Sequence, residues 1–170
     1  MNLNNRGWNF LGAFICYQLL VTALYFQYVD GLEPCPLCIF QRVAVAAMGI
    51  VLLLNAVHNP AIHSVSNRIY QILGLLTAFI GIGIAGRHVY LQSLPEGEAP
   101  ACGAPLDYMM DMLPFMEVLQ TVLTGAGECA KISWRFWGIS MPGWMLIIFI
   151  IAALVFGFRL FKAFQQPKPL

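Results

Sequence analysis

The chain has 170 residues, of which 59% are hydrophobic and only 10% are charged, and its mean hydropathy is +0.73. Because soluble domains contain about 25% charged residues, this composition excludes an ordinary soluble protein and indicates an integral membrane protein. The net charge of +1 says little about partners. The sequence contains no stripe of basic residues of the kind that nucleic acid requires, so we expect no nucleic-acid partner.

Four apolar segments are each close to the roughly 20 residues that an α-helix needs to cross about 30 Å of hydrocarbon. They cover approximately residues 8–29, 39–57, 69–86 and 144–161. A removed signal peptide is the alternative for the first segment, but such peptides have apolar regions of only about 7–15 residues and then a small-residue cleavage site. We therefore predict an all-α fold, a polytopic four-transmembrane-helix bundle that forms a single membrane domain over residues 1–170.

The basic residues indicate which side of the membrane holds the chain termini. Five of them lie at the two ends of the chain or in the connector between the second and third segments: Arg6, Arg68, Arg159, Lys162 and Lys168. By the positive-inside rule, this side is cytoplasmic. The loops over about residues 30–38 and 87–143 then lie together on the opposite side of the membrane.

Four of the five cysteines lie in these two loops. Cys35 and Cys38 are in the first loop, and Cys102 and Cys129 are in the second. The topology therefore places all four on the non-cytoplasmic side, where disulfides persist. The fifth cysteine, Cys16, lies in the middle of an apolar segment, and we interpret it as an inert packing residue.

The Cys-x-x-Cys pair stands where a polar turn becomes the second apolar segment. Pro36 can open a helix, which would put Cys38 in the first turn, where the helix dipole favours a thiolate. Arg42 follows Cys38 by four residues and lies on the same helix face. We expect its guanidinium to point back toward the sulfur, with snorkelling to the lipid headgroups as the alternative.

Three chemistries fit a Cys-x-x-Cys pair in this setting: a redox dithiol, half of a zinc site, or a structural disulfide. Zinc would need two more ligands close by, and Cys102 and Cys129 are 27 positions apart, so we predict no metal. A disulfide that closes so small a ring stabilises a protein little in the loop-entropy model. We therefore favour the redox dithiol.

The long second loop contains further candidates. Its two cysteines, Cys102 and Cys129, form either a structural staple or a second dithiol that exchanges with the first by thiolate attack. His88, near the start of this loop, is either an interfacial anchor or a hydrogen-bond and proton donor for a redox acceptor. Residues 113–123 have the pattern of a short amphipathic helix, lying on the membrane surface or packed within the loop.

Four motifs carry a resemblance to a known family. They are Cys-Pro-Leu-Cys-Ile-Phe-Gln-Arg at 35–42, Arg-His-Val-Tyr-Leu-Gln at 87–92, Gly-Glu-Cys-Ala at 127–130 and Trp-Arg-Phe-Trp-Gly-Ile-Ser-Met-Pro-Gly-Trp at 134–144. Together with four cysteines in two loops on one side of the membrane, these motifs resemble the disulfide bond formation protein B (DsbB) family of the bacterial inner membrane.

The resemblance implies a periplasmic disulfide-generating oxidase. Such a protein-disulfide oxidoreductase reoxidises a DsbA-type thioredoxin-fold partner and passes the electrons to a membrane quinone, ubiquinone or menaquinone. The resemblance also implies a multi-pass protein in contact with the lipid of the bacterial inner membrane, with both termini cytoplasmic and both redox loops periplasmic. We expect it to act as a monomer.

The resemblance also implies a role for each of the four loop cysteines. Cys102 would be attacked by the partner's thiolate, which gives an intermolecular mixed disulfide. The freed Cys129 would then attack Cys35 and form a disulfide between the two loops. This step would release Cys38 as a thiolate beside the quinone.

The same resemblance points to the quinone site. Cys38, Arg42 and His88 match the residues of that site in the family. Gln41 is a departure, since an acidic residue can occur at its position, and we assign it only a minor role. Three alternatives remain at this point: a paralogue dedicated to a single substrate, a non-catalytic four-span scaffold with structural disulfides, and a zinc-binding loop protein.

Overall fold

The computed structural model describes residues 3–94, 111–112, 114, 116–118, 127–130, 132 and 134–165. Within these residues, four long helices form the bundle: α1 Leu3–Tyr28, α2 Pro36–His58, α3 Val65–Ser93 and α4 Met141–Gln165. Each helix is long and apolar enough to cross a membrane. This confirms the predicted all-α fold with four membrane-spanning helices.

Residues at the helix ends explain where α2 and α3 begin. Cys35 has an extended backbone, with φ of −66° and ψ of 161°, and Pro36 follows it as the first residue of α2. Proline suits this position because its ring presets φ for a helix and its missing N–H would have no partner there. Ser64 precedes α3, and its hydroxyl accepts a hydrogen bond of 3.1 Å from the backbone N–H of Asn67.

Helix α3 is longer than the predicted third span. It continues to Ser93 instead of ending near residue 86, so residues 87–93, which we assigned to the second loop, are helical. Hydropathy predicts only the part of a helix that lies within lipid. The helix itself continues as long as its backbone hydrogen bonds and its packing support it. The extension places His88 on the buried face of α3 together with Ala85 and Leu91.

Helices α2 and α3 lie in the middle of the bundle, because α1 packs on α2 and α4 packs on α3. Glycines on α3 allow α4 to approach closely. A Cβ atom at Gly74 would lie 2.3 Å from the ring of Phe156, and one at Gly81 would lie 2.4 Å from the ring of Phe149. Gly74 and Gly81 are seven positions apart on α3, and Phe149 and Phe156 are seven positions apart on α4. The same contact therefore recurs after two helical turns.

A short antiparallel hairpin precedes α4 and was not predicted from the sequence. Its strands are β1 Arg135–Phe136 and β2 Ile139–Ser140. Trp137 and Gly138 join them with φ of 51° and 78°, the positive values of a two-residue type I′ turn. The ring of Trp134, just before β1, lies 5.6 Å from that of Phe26 near the end of α1. The hairpin therefore packs at the same end of the bundle as Cys35.

Only part of the second loop belongs to the described residues. Of the helix predicted over residues 113–123, residues 116–118 are helical, and most of the remainder lies outside the described part of the chain. A 3₁₀ turn over Gly127–Ala130 is described and contacts α3.

Candidate functional site

The Cys-x-x-Cys pair lies at the first turn of α2. Because Cys35 is extended and Pro36 opens the helix, Cys38 falls in the first helical turn, as the sequence predicts. The Sγ atom of Cys35 lies 3.1 Å from the Sγ atom of Cys38. Both are free thiols in the structure, and a small rotation of either side chain brings them to the roughly 2.05 Å of a disulfide bond.

His88 faces the first of these sulfur atoms from α3. Its ring is 2% exposed, and its Nε2 atom lies 3.7 Å from Cys35 Sγ. On the other side of the ring, Nδ1 lies 3.1 Å from the side-chain nitrogen of Gln41. With this amide as donor, Nδ1 accepts and Nε2 carries the proton of the neutral imidazole. Gln41 therefore sets the tautomer that directs an N–H group at Cys35.

Gln41 is a residue whose importance the sequence analysis underestimated. We assigned it a minor role, yet it is 4% exposed and holds the buried imidazole of His88. The sequence does indicate that Gln41 is buried, because it lies at helical spacing from Leu37, Val45 and Met48, which form the buried face of α2. A glutamine on an otherwise apolar buried face needs a hydrogen-bond partner, so its position alone indicates a specific contact.

Cys129 reaches the same place from the second loop. The 3₁₀ turn over Gly127–Ala130 holds it against α3, and its side chain is buried in a cluster with Leu37, Leu91 and Val118. Cys35 packs against this cluster. Hydrogen bonding with the Cys35 side chain and burial raise the pKa of Cys129 well above that of an ordinary thiol, so Cys129 is protonated at neutral pH.

Cys35 is thus the common neighbour of Cys38, Cys129 and His88. The structure brings together three of the four predicted catalytic cysteines and, counting Cys38 again, two of the three predicted quinone-site residues, Cys38 and His88. The fourth cysteine, Cys102, lies outside the described residues. A sulfur that has two thiol neighbours can exchange one disulfide partner for the other, so the arrangement suits thiol–disulfide exchange.

Arg42 has different neighbours from those we expected. Its guanidinium donates hydrogen bonds to the side-chain oxygen of Gln27 and to the backbone oxygen of Ala23, both on α1. None of the hydrogen bonds among the described residues joins Arg42 to Cys38. The side chain therefore ties α1 to α2 one turn below the cysteine pair, which the four-residue spacing along α2 could not indicate.

The site also contains donors that a metal ion could use. The Sγ atoms of Cys35 and Cys38 and a ring nitrogen of His88 all lie within 4.8 Å of one another. The sequence-based argument against a metal compared only cysteine spacings and did not consider His88. Zinc prefers four nitrogen and sulfur ligands in a tetrahedron, so these three donors would leave one position for a further ligand.

Comparison with known proteins identifies the family. The family model "Disulfide bond formation protein DsbB" matches residues 5–158 of the chain. The chain is 48% identical to disulfide bond formation protein B of Nitrosococcus oceani over 155 residues, 91% of this chain and 90% of the relative. It is 49% identical to the Acinetobacter baumannii protein of the same name over 146 residues, 86% of this chain and 85% of the relative.

A third relative extends the match to almost the whole sequence. Disulfide bond formation protein B of Xylella fastidiosa is 42% identical over 173 aligned positions, which cover 99% of each chain. The region that the family model matches includes all of α2 and α3, most of α1 and α4, and the cysteine pair of α2. The protein is a multi-pass membrane protein with a role in disulfide bond formation, and the chain belongs to the disulfide bond formation protein B family.

Proposed function

We propose that the protein reoxidises the dithiol of a DsbA-type thioredoxin-fold partner in the periplasm and passes two electrons to a membrane quinone, ubiquinone or menaquinone. The observation that carries this proposal is the position of Cys35, 3.1 Å from Cys38 and packed against the buried cluster that contains Cys129. These contacts connect the second loop to the dithiol at the end of a membrane-spanning helix. In this topology the termini are cytoplasmic, both loops are periplasmic, and the membrane is the bacterial inner membrane.

The exchange proceeds by successive thiolate attacks. A partner thiolate attacks Cys102 in a Cys102–Cys129 disulfide, which forms a mixed disulfide and releases Cys129. Cys129 then attacks Cys35 in a Cys35–Cys38 disulfide, which forms the bond between the loops and releases Cys38 as a thiolate.

Two further attacks complete the transfer of electrons. The partner's second thiolate attacks the mixed disulfide, so the partner leaves oxidised and Cys102 is freed. Cys102 then attacks Cys129, which restores the outer disulfide and releases Cys35. The two electrons taken from the partner now reside in the reduced Cys35–Cys38 dithiol.

His88 and Gln41 assist the step in which Cys35 is released. The Nε2–H group of His88 faces Cys35 Sγ, so it stabilises the negative charge that this sulfur carries as a leaving group. The Gln41 amide keeps the proton on Nε2 by occupying Nδ1. Because burial and the bond to Cys35 raise the pKa of Cys129, this thiol must lose its proton before it attacks.

The residues around this end of the bundle fit a quinone by their donor chemistry. Quinone oxygens accept hydrogen bonds, and Arg42 has N–H groups beyond the two that bond to α1, while the N–H group of His88 faces Cys35. One turn beyond His88, the side-chain oxygen of Gln92 is buried without a partner among the described residues and can accept a bond from a hydroxyl. Cys38, Arg42 and His88 would hold the quinone. When bound, the quinone accepts two electrons and two protons and thereby reoxidises the dithiol.

A stoichiometric assay tests this function. Purified protein with added ubiquinone is mixed without oxygen with a reduced thioredoxin-fold partner, and both quinone absorbance and free thiols are measured. We expect two partner thiols to be lost for each quinone reduced. Cys38→Ser should stop quinone reduction, whereas Cys16→Ser, a change in the α1–α2 interface, should not.

The same assay separates the proposed oxidase from the two other readings of its disulfides. A non-catalytic scaffold would keep its disulfides intact in the presence of the reduced partner, and that result would refute the proposal. A paralogue dedicated to one substrate would oxidise one thioredoxin-fold protein much faster than others of the same fold. Comparing several reduced partners under identical conditions distinguishes a dedicated from a general role.

A second candidate function is metal binding, and the three donors of Cys35, Cys38 and His88 favour it. Reduced protein is purified without chelators, and its metal content per chain is measured by mass spectrometry. One bound zinc that is lost in His88→Ala would support a metal site. Protein that is free of metal and still oxidises its partner would exclude it.

A further inference from the structure

A cavity of about 640 Å³ opens at the end of the bundle away from the cysteines. Residues of α1, α3 and α4 line it, and we call the α3 side its floor. Asn5 and Trp8 of α1 line one wall, Asn67 and Gln71 of α3 line the floor, and residues 154–162 of α4 line the other wall. Measured along α3, Gln71 is roughly 25 Å from His88, so the cavity is separate from the redox site.

The floor of the cavity holds a buried acceptor that lacks a donor. Gln71 is 1% exposed, and its side-chain nitrogen donates a hydrogen bond of 3.2 Å to the side-chain oxygen of Asn67. Its own oxygen, Oε1, has no hydrogen-bond partner among the described residues. Because a buried oxygen without a donor is costly, a group that fills the cavity should bring a hydroxyl or another donor to this atom.

The α4 wall of the cavity carries two cations. One N–H group of the Arg159 guanidinium donates to the side-chain oxygen of Asn9 on α1, and the Lys162 ammonium lies 4.6 Å from the ring centre of Phe158. An ionisable side chain within a membrane-spanning helix normally pairs with an opposite charge or a polar group, or faces a water-filled cavity.

None of the described residues that line the cavity carries a carboxylate. All eight Asp and Glu residues of the sequence fall within residues 30–33 and 96–128. These two segments follow α1 and α3 at Tyr28 and Ser93, the ends of those helices nearest the cysteines. A molecule that enters the cavity from outside can supply the counter-charge for Arg159 and Lys162.

Most of the remaining lining is apolar. Leu154 and Phe158 are exposed on α4 and border the cavity, and Trp8 stands opposite on α1. A molecule that fits this surface has an anionic group for the cations, a hydroxyl for Gln71 and hydrocarbon for the apolar border. A neutral quinone would leave both cations uncompensated.

We propose that this cavity binds an anionic phospholipid with a hydroxylated headgroup, of which a glycerol phosphodiester is the simplest kind. The phosphate lies between Arg159 and Lys162, a headgroup hydroxyl donates to Gln71 Oε1, and the acyl chains run along Leu154 and Phe158. Basic pockets between membrane helices bind anionic headgroups through the same combination of charge and apolar contact.

Native mass spectrometry of the full-length protein in a neutral detergent tests the proposal. Phosphatidylglycerol and phosphatidylcholine with identical acyl chains are titrated separately, and the bound fraction is measured. With about a fivefold gain in affinity for each nearby cation, we expect one phosphatidylglycerol to bind about twentyfold more tightly than phosphatidylcholine. Lys162→Gln, a change at an exposed side chain that leaves packing intact, should weaken this binding about fivefold.

Two variants and one competitor complete the experiment. Gln71→Leu removes the acceptor and should also weaken phosphatidylglycerol binding. Arg6→Gln removes a positive charge from the same end of the bundle, where Arg6 lies over the Phe10 ring outside the cavity, and should leave binding unchanged. Equal binding of the two lipids, or equal losses in Arg6→Gln and Lys162→Gln, would overturn the proposal. Displacement of the lipid by millimolar inorganic phosphate would identify a simple anion site and overturn it too.

Discussion

The two ends of the bundle both bury polar side chains, but the imidazole at the cysteine end completes its contacts within the chain, whereas the buried amide at the opposite end does not. At the cysteine end, the imidazole of His88 bonds to Gln41 on one side and faces Cys35 on the other. At the opposite end, Gln71 is as deeply buried, yet its oxygen has no partner among the described residues, and Arg159 has no carboxylate nearby in the sequence.

The difference indicates that the two ends of the bundle have different functions. A polar cluster whose members bond to one another is held in one arrangement, which suits chemistry among its own atoms. A cluster with an unused acceptor and uncompensated cations is complementary to something outside the chain. Helix α3 links the two, because it carries Gln71 near its start and His88 near its end.

We expect the largest effect in the alkylation of Cys129, which should be much slower in the folded, reduced protein than that of an ordinary thiol. Its pKa is raised by the hydrogen bond to Cys35 and by burial, so it stays neutral at a pH where an ordinary thiol, with a pKa near 8.5, is half ionised. Since iodoacetamide reacts with the thiolate, the rate at Cys129 should rise about tenfold per pH unit from about pH 7 to 10 without a plateau. Peptide mass spectrometry measures the modification at this residue.

Unfolding the protein in sodium dodecyl sulfate supplies the control for this pH profile. There the thiol of Cys129 loses its burial and its neighbour, and its rate should level off above about pH 8.5. The folded state binds the thiol proton more tightly, so folding stability should also decrease as the pH rises above that value. A plateau below pH 9 in the folded protein would show that the Cys129 thiol is less protected by burial and hydrogen bonding than the contrast between the two ends requires.

A smaller effect tests the close packing of α4 against α3, the helix that links the two ends. In Gly81→Ala the new Cβ atom would lie 2.4 Å from the Phe149 ring, so α4 must shift, and we expect a loss of about 1–3 kcal/mol in the free energy of unfolding. Gly83→Ala on the same helix is the matched control, since no atom lies within 4 Å of its Cβ position. Titration with a denaturing detergent measures both variants. Equal stabilities would mean that the close α3–α4 contact is unimportant.

Much of the bundle was predictable because lipid imposes a simple rule on the sequence. A helix that crosses about 30 Å of hydrocarbon must be apolar over roughly 20 residues, and all four helices obey this. Pro36 likewise indicated where α2 begins. The end of α3 was missed because Arg87 and Gln92 are polar, and polar residues continue a helix freely once it leaves the lipid.

The site was predictable where sequence spacing or membrane topology decides which residues meet. The spacing of Cys35 and Cys38 predicted that the two residues lie close together. The prediction that both loops lie on one side of the membrane added Cys129 to the site. The contact of Arg42 with α1 and that of Gln41 with α3 depend on how separate helices pack, which no local pattern contains. Roles for Cys102 and for the quinone-site residues remain predictions.

The smallest effect concerns Gln41 and tests whether the cysteine end needs its internal hydrogen bonds for function. Gln41→Leu leaves Nδ1 of His88 without a donor, so the proton is no longer confined to Nε2 and the N–H group facing Cys35 is partly lost. A hydrogen bond of about 0.5–1.5 kcal/mol corresponds to a decrease of up to about tenfold in the rate of partner oxidation. Gln41→Glu should keep most of the rate, because a carboxylate bonded to Nδ1–H favours an imidazolium that retains its Nε2–H. Asn55→Leu, at an equally buried position near the other end of α2, should react like the unmodified protein, and an equal loss in this variant would show that the Gln41 effect is merely one of stability.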